Sequence, residues 1–242
     1  MACNSDSTPT LVVMAGLAGA GKSTLARRLS DHLQWPIIDI DVIKTALLEE
    51  EFSNEVAGLA TYSVSLAVCY DLVVRQHLSV ILDSPARYPI ILERARRIVE
   101  ESNGTLRVIY CQVNQAIRNA RLAQRKPRLS QIVRDETTDS ETIQWFKHLP
   151  SMTLTVDATK SVDLLLSEAF LFVNGQIEVA LRRDRYCWPI PLSRRRYEAT
   201  GASRATRWER RVWASGIPSN QCATRTKLIA AAVRICWRWA RS

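Results

Sequence analysis

The stretch that decides the fold is TLVVMAGLAGAGKSTLARRL, residues 10–29. Its first six residues form a short apolar run rich in β-branched side chains, which predicts a buried parallel strand. The run stops at Gly16. Three of the chain's eight glycines, Gly16, Gly19 and Gly21, lie within the six residues that start there. Leucines then recur at helical spacing, at positions 25, 29 and 33. The sequence therefore predicts a strand, a glycine-rich turn and a helix in direct succession.

The turn, GLAGAGKS, satisfies the pattern G-x-x-x-x-G-K-[ST] between a predicted strand and a predicted helix. Glycine lets backbone amides converge on phosphate oxygens, Lys22 would neutralise the β and γ phosphates, and Ser23 would ligate magnesium. A chance glycine-rich turn is the alternative, on the order of one percent at average residue frequencies. We expect a purine nucleoside triphosphate with Mg²⁺ to bind this loop. The expected contacts are Gly16, Gly19, Ala20, Gly21, Lys22, Ser23 and Thr24.

Strand and helix patterns alternate through the rest of residues 10–176. Further strands are predicted over 35–40, 79–83, 106–113 and 152–156. Helices are predicted over 54–76, 88–102, 115–124 and 162–173. Residues 126–150 are polar and weakly periodic, which favours a mobile lid or loop. The order predicts an α/β fold with a five-stranded parallel sheet and helices on both faces. Together with the glycine-rich turn, it resembles the three-layer P-loop NTPase fold of nucleoside monophosphate kinases.

Two carboxylates follow predicted strands. Asp83 ends the strand VILD, where it would hold magnesium, although an Asp at a strand end also serves as a turn former or helix cap. Asp41, in IIDIDVIK, would accept a hydroxyl proton from a phosphoryl acceptor. Alternatively, Asp41 caps a helix that starts at Val42, and the two roles are compatible.

A row of arginines follows the fourth predicted strand. Arg118, Arg121 and Arg125 lie three and four residues apart, on or near one helical face. Guanidinium groups placed where negative charge develops assist phosphoryl transfer, so we expect Arg121 to be catalytic and Arg118 and Arg125 to contact the nucleotide. A solvated basic face is the alternative, and Arg87 and Arg128 are weaker candidates.

These motifs together resemble the P-loop kinases of the AAA-type ATP-binding family, related to zeta toxins, gluconate kinases and the polynucleotide 5′-hydroxyl kinase domain. The resemblance covers residues 10–173 and rests on GLAGAGKST, the D-x-x-[RK] element that starts at Asp41, Asp83, and the sequence NARLAQR. It implies ATP and Mg²⁺ as cofactors and Asp41 as the base. It also implies that Lys44, which stands where the family has Arg, contacts phosphate. Lysine cannot form a bidentate contact, and Ala18 replaces the usual Pro.

Composition changes abruptly near residue 177. The net charge of +9 belongs to residues 177–242, which hold 15 Lys and Arg against 4 Asp and Glu. Five of the seven tryptophans lie there as well. We therefore expect an ATP-binding domain over 10–176 and a largely disordered Arg- and Trp-rich extension over 177–242. Altered splicing or reading frame is our hypothesis for the origin of the extension. Its last segment, 227–241, would alternatively form a basic amphipathic helix that binds nucleic acid or an anionic membrane.

The remaining features suggest a cytoplasmic protein. Residues 1–10 have no basic start or apolar run typical of a signal peptide, and no apolar stretch approaches eighteen residues. The six cysteines form no CxxC pair, which favours reduced thiols over zinc or disulfides.

Three functional hypotheses follow from the sequence. The first is an ATP-dependent kinase that acts on a hydroxyl of a small molecule or a polynucleotide 5′ end. The second is a nucleotide-binding regulatory protein or ATPase with little transferase activity. The third is nucleic-acid binding through the basic extension.

Overall fold

The computed structural model describes residues 8–177. Five strands alternate with seven helices in this part of the chain. The strands are β1 (Thr10–Ala15), β2 (Ile37–Asp39), β3 (Val80–Asp83), β4 (Thr105–Gln112) and β5 (Thr153–Asp157). The helices are α1 (Lys22–Leu33), α2 (Ile40–Glu49), α3 (Asn54–Tyr70), α4 (Pro89–Glu101), α5 (Gln115–Gln124), α6 (Asp139–Trp145) and α7 (Val162–Val173). A π-helical turn, Asp71–Arg75, continues α3.

The strands form one parallel sheet in the order β2-β3-β1-β4-β5. Strand β1 lies at the centre, and all six of its residues are buried, as expected for a strand covered on both faces. The carboxyl ends of β1, β2 and β3 therefore lie side by side. This edge brings the glycine-rich turn, Asp39 and Asp83 together.

Each face of the sheet carries its own hydrophobic core. On one face, side chains such as Leu82 and Val108 pack against α3 and α4. On the other, Val12 and Ile109 pack against α1 and α7. The predicted α/β architecture with a five-stranded parallel sheet is confirmed. Within the described residues both cysteines, Cys69 and Cys111, are buried and free.

The beginning of α2 differs from the sequence-based expectation. The predicted strand over 35–40 contracts to three residues, and the helix begins at Ile40. Its N-cap is Asp39, whose Oδ1 accepts a hydrogen bond of 2.9 Å from the amide of Asp41. The prediction that Asp41 itself caps a helix from Val42 is therefore wrong, because Asp39 already occupies the capping position. Asp41 lies in the first turn with its carboxylate free for other contacts.

Residues 126–150 are more structured than a loop. They contain α6, which begins with a capping box between Thr138 and Glu141. We call residues 126–150 the lid. Side chains at its start bind α2, and its middle binds Arg118, as described below.

The helical run Asn54–Arg75 is long and apolar enough, with a mean hydropathy of 1.5, to qualify as a membrane-crossing helix by composition. No other described helix does. In this fold α3 packs against α2, α4 and the sheet, and 33% of the apolar window is buried. It is therefore an integral helix of the α/β core.

Candidate active site

The glycine-rich turn forms a cradle after β1. Gly16, Gly19 and Gly21 have φ angles of +128°, +78° and +90°, which favour glycine. A Cβ at Gly16 would lie 2.6 Å from the carbonyl oxygen of Cys111. One at Gly19 would lie 2.7 Å from that of Arg118. Backbone conformation and close approach both exclude larger residues here.

The amino terminus of α1 opens onto this cradle. Gly21 is the N-cap, and no side chain caps the first turn. The amides of that turn and the helix dipole therefore present positive charge, which suits phosphate. Lys22 belongs to the same surface, and its Nζ donates a 2.9 Å hydrogen bond to the carbonyl oxygen of Leu17. The residues of the loop thus surround one cradle, and their role in phosphate binding stays a prediction.

Asp83 lies buried at the end of β3, beside the cradle. It is 3% exposed, and its Oδ2 has no hydrogen-bond partner. Burial raises the pKa of this carboxyl, while the charge of Lys22 and a hydrogen bond with Ser23 act in the opposite direction. A buried carboxylate oxygen beside a serine hydroxyl fits Mg²⁺, which prefers oxygen ligands and retains several waters. The residues present fit the expected metal, and their role as its ligands stays a prediction.

Two further carboxylates line the same cleft, and their partners differ. Asp39 accepts from Arg128 at 2.8 Å and from Arg27 at 3.3 Å. Asp41 accepts a 2.8 Å hydrogen bond from Nε2 of Gln131 and forms no ion pair within residues 8–177. Two arginines occupy the carboxylate of Asp39, whereas that of Asp41 meets only the Gln131 amide, so within the described residues Asp41 is the more accessible to an acceptor hydroxyl.

The structure does not bring the side chain of Arg118 into the cleft. It is 1% exposed and lies 3.7 Å from Asp135 and 3.5 Å from Asp139. It also donates to the carbonyl oxygens of Val113 and Thr137 at 3.3 and 2.6 Å. The expected nucleotide contact of Arg118 is absent from this geometry because the guanidinium is used to hold the lid.

The other two arginines of the row do reach the cleft. Arg121 donates to the carbonyl oxygens of Gly19 and Ala158, at 3.4 and 2.6 Å, and so ties the cradle to the loop after β5. Arg125 donates to the carbonyl oxygen of Ile132 at 2.9 Å, and its Nε is buried without a partner. Spacing alone placed all three on one face, but only these two line the cleft.

A second cavity adjoins the cradle on the far side of Arg121. It has a volume of about 320 Å³ and shares Gly21 and Thr24 with the main cleft. Its other walls come from α1, from the end of β4 and from the loop after β5, including Lys160. This position next to the phosphate site suits the nucleoside part of a nucleotide.

The main cleft encloses about 450 Å³. Several of its walls were not identified from the sequence. They are Gly58, Thr61, Tyr62, Ser84, Pro85 and Ser130. Three of these lie on α3 at positions i, i+3 and i+4, which form one helical face. The signal that could have revealed them is Gly58, a glycine inside an otherwise apolar helix.

The side of the cleft made by α2 and α3 has its own chemistry. Tyr62 is partly buried, and burial, together with the neighbouring Tyr88 and Asp41, raises the pKa of its phenol to about 12. The phenol therefore stays a neutral hydroxyl at physiological pH. Lys44 lines the same side one turn after Asp41, and it forms no ion pair within the described residues. This side thus offers a neutral hydroxyl, an unpaired ammonium and the proposed base.

The fold and the cradle define a P-loop nucleotide-binding protein of the kinase-like class. The family model described as an AAA domain matches residues 11–148, more than half of the chain. The chain therefore belongs to this family. No curated protein matches the sequence.

Solved structures share the fold at low identity. A candidate kinase from Chloroflexus aurantiacus is 18% identical, with a TM-score of 0.55 over 70% of this chain and 98% of that one. A gluconokinase from Sinorhizobium meliloti is 15% identical, with a TM-score of 0.45 and coverages of 70% and 94%. An APS kinase from Mycobacterium tuberculosis, in complex with AMPPNP and APS, is 16% identical, with a TM-score of 0.49 and coverages of 69% and 98%. Only the first of these carries weight, and it bears on the fold alone.

The predictions for the basic extension concern residues 177–242, nearly all of which lie outside the described residues 8–177. The domain division and nucleic-acid binding through that segment stay predictions.

Proposed function

We propose that the protein is an ATP-dependent kinase that transfers the γ-phosphate to a hydroxyl acceptor. The observation that carries this proposal is the convergence of three elements on one cleft. They are the glycine-rich cradle with Lys22, the buried Asp83 beside Ser23, and Asp41, which has no cationic partner within residues 8–177. A simple nucleotide-binding site requires the first two, whereas a phosphotransferase also requires a base for its acceptor.

Each group has a separate task in this proposal. The amides of the cradle and Lys22 hold the β and γ phosphates. Ser23 and Asp83 hold Mg²⁺, which supplies charge neutralisation to the transferring phosphate when bound. Asp41 takes the proton of the acceptor hydroxyl. Arg121 and Arg125 contribute positive charge from the other wall.

The second cavity supports a nucleoside triphosphate as the phosphoryl donor. It begins at Gly21 and Thr24, where the phosphates end, and Arg121 borders it along one side. A guanidinium plane beside a cavity of this size suits stacking on a flat base. The hydrogen bonds of Arg121 to Gly19 and Ala158 already hold it in place.

The test is a transfer assay with γ-labelled ATP and Mg²⁺ against a panel of hydroxyl acceptors. The panel contains sugars, sugar acids, sugar phosphates, nucleosides and 5′-hydroxyl oligonucleotides. We expect label in one acceptor class and none when Mg²⁺ is chelated. ATP binding without transfer to any acceptor would contradict the kinase proposal.

A regulatory nucleotide-binding protein is the second candidate. The hydrogen bond between Gln131 and Asp41 favours it, because the base is already occupied by a lid side chain. In that case nucleotide binding would alter the lid without phosphoryl transfer. Limited proteolysis of the lid with and without Mg-ATP, run beside the transfer assay, separates the two functions.

A further inference from the structure

Gly58 lies in the interior of α3, where glycine is unfavourable. It lines the main cleft, and a Cβ built on it meets no atom within 4 Å. Its φ angle is outside the positive range, so the backbone does not require glycine either. Helix propensity, packing and backbone geometry all permit a side chain at this position. The remaining consequence of glycine here is open space beside the cleft.

The open space lies on the side of the base. Tyr62 follows Gly58 by one helical turn and lines the same cleft. Tyr62 and Asp41 both line this cleft. Bare backbone next to an aromatic side chain makes a flat wall, and such a wall packs well against the face of a ring. Lys44, which forms no ion pair among the described residues, adds a positive charge nearby.

The lid limits how large a molecule can fill this space. Arg128 binds Asp39, Gln131 binds Asp41, and Ser130 donates a 2.9 Å hydrogen bond to the carbonyl oxygen of Asp41. The cleft beneath encloses about 450 Å³, which the triphosphate must share. Small-molecule sites have volumes of about 300 to 1,000 Å³. The volume left beside Gly58 therefore suits one ring rather than a polymer.

We propose that Gly58 sets the size and shape of the acceptor, a small, negatively charged alcohol whose ring lies against the bare backbone of α3, beside Tyr62 and Lys44. This inference rests on the proposed kinase function and specifies its substrate class. Gly58 affects specificity because its missing side chain leaves space for the acceptor. Asp41 remains the group that contacts the reacting hydroxyl.

The substrate class is tested with matched acceptors in the same transfer assay. Glucose 6-phosphate is compared with sorbitol 6-phosphate, which keeps the charged phosphate on an open chain, and with glucose, which keeps the ring but lacks the phosphate and its charge. Uridine 5′-monophosphate and uridine form a second pair that differs in charge. In at least one of the two sets, we expect the compound that has both a ring and a charge, glucose 6-phosphate or uridine 5′-monophosphate, to have the highest kcat/KM. Preference for an open-chain, neutral or 5′-hydroxyl oligonucleotide acceptor would overturn the inference and leave the kinase function intact.

The role of Gly58 is tested by filling the space. Gly58→Leu should lower kcat/KM for the best acceptor by at least about 100-fold, since a lost hydrophobic fit of a few carbons has effects of this order. The affinity for a fluorescent ATP analogue should stay within about twofold of the wild type, because the phosphate cradle is untouched.

Ala67→Leu provides the matched control. Ala67 lies on the same helix in an exposed position, and it does not line the cleft. The control variant should retain acceptor turnover. Equal losses in the two variants, or an unchanged acceptor kcat/KM in Gly58→Leu, would refute the role of Gly58. Complete absence of transfer by the wild type would instead refute the kinase function, so the two failures can be told apart.

Discussion

The buried carboxyl of Asp83 links metal binding to stability. Its pKa is raised in the folded protein, so folding favours the protonated form in the absence of metal. The stabilising contribution is complete below the pKa of the unfolded chain and is lost as the pH rises through the raised, folded pKa. At neutral pH, without metal, the ionised carboxyl therefore costs stability.

Asp83→Asn should therefore raise the melting temperature of the metal-free protein at pH 7. It should also flatten the dependence of that temperature on pH. The same variant should lose the additional stabilisation that Mg²⁺ gives to ATP binding. Thermal denaturation from pH 4 to pH 8, with and without Mg-ATP, measures both effects. A metal-free variant that melts below the wild type at pH 7 would contradict this account.

Asp41→Asn tests the base directly. The amide keeps the size of the side chain but cannot accept the proton, so kcat for transfer should fall by about 10² to 10⁴. The affinity for ATP should not change, since the cradle is intact. Asp31→Asn, on the exposed surface of α1, is the control and should leave kcat unchanged. Transfer that persists in the Asp41 variant would eliminate its assignment as base.

The phosphate cradle could be predicted from sequence residue by residue, because its geometry is local. Gly16–Ser23 are consecutive, and the pattern itself specifies a backbone conformation. The role of Arg118 could not be predicted in this way. Its partners, Asp135 and Asp139, lie 17 and 21 residues further along in a segment without a clear pattern. Helical spacing indicates which residues share a face but not what that face meets.

At the level of single elements, α5 connects the core to the lid. Arg118→Met would leave Asp135, which is 7% exposed, as a buried carboxylate without its cation. Breaking one partner of a buried pair costs about 3 to 5 kcal/mol. We expect a loss of this size in the free energy of unfolding, measured with urea. Nucleotide affinity should be nearly unchanged, since Arg118 does not line the cleft.

Arg125→Met is the comparison for that variant. Arg125 lines the cleft and forms no ion pair within residues 8–177, so its loss should weaken nucleotide binding more than stability. If Arg118→Met instead weakened nucleotide binding and Arg125→Met mainly lowered the free energy of unfolding, the expectation that Arg118 contacts the nucleotide would be restored.

A substitution in helix α3 should increase the stability of the protein, whereas Arg118→Met should decrease it. Gly58→Ala places a methyl group in open space on a helical backbone, so it should raise the free energy of unfolding by about 0.5 to 1 kcal/mol. Chemical denaturation measures the change. A loss of stability would mean that the space beside Gly58 is smaller than the structure indicates.

Across the whole molecule, the sequence predicted the class of fold but not every relation between its parts. Alternating patterns and right-handed crossovers imply a parallel sheet. The position of β1 at its centre, and the meeting of α3 with the cleft, depend on strand order, which periodicity does not encode. For the same reason, the sequence did not identify Gly58 and Tyr62 as residues on the acceptor side of the cleft, and only the structure placed them there.

The division of the chain can be tested by truncation. Deleting residues 178–242 should leave ATP affinity unchanged, because the glycine-rich cradle, Asp41 and Asp83 all lie before that segment. Isothermal titration with an ATP analogue and Mg²⁺ provides the measurement. Failure of the shortened protein to fold or to bind would show that the extension belongs to the domain.

The contacts between the lid and α2 have a consequence for motion. They comprise four hydrogen bonds, from Arg128, Ser130 and Gln131 of the lid and from Thr45 of α2. At about 1 kcal/mol each, these bonds hold only the start of the lid, residues 128–131, against α2 and Asp39. Backbone amides of residues 128–131 should therefore exchange with deuterium long before those of β1. If acceptors enter by this route, the frequency of opening sets an upper limit on turnover.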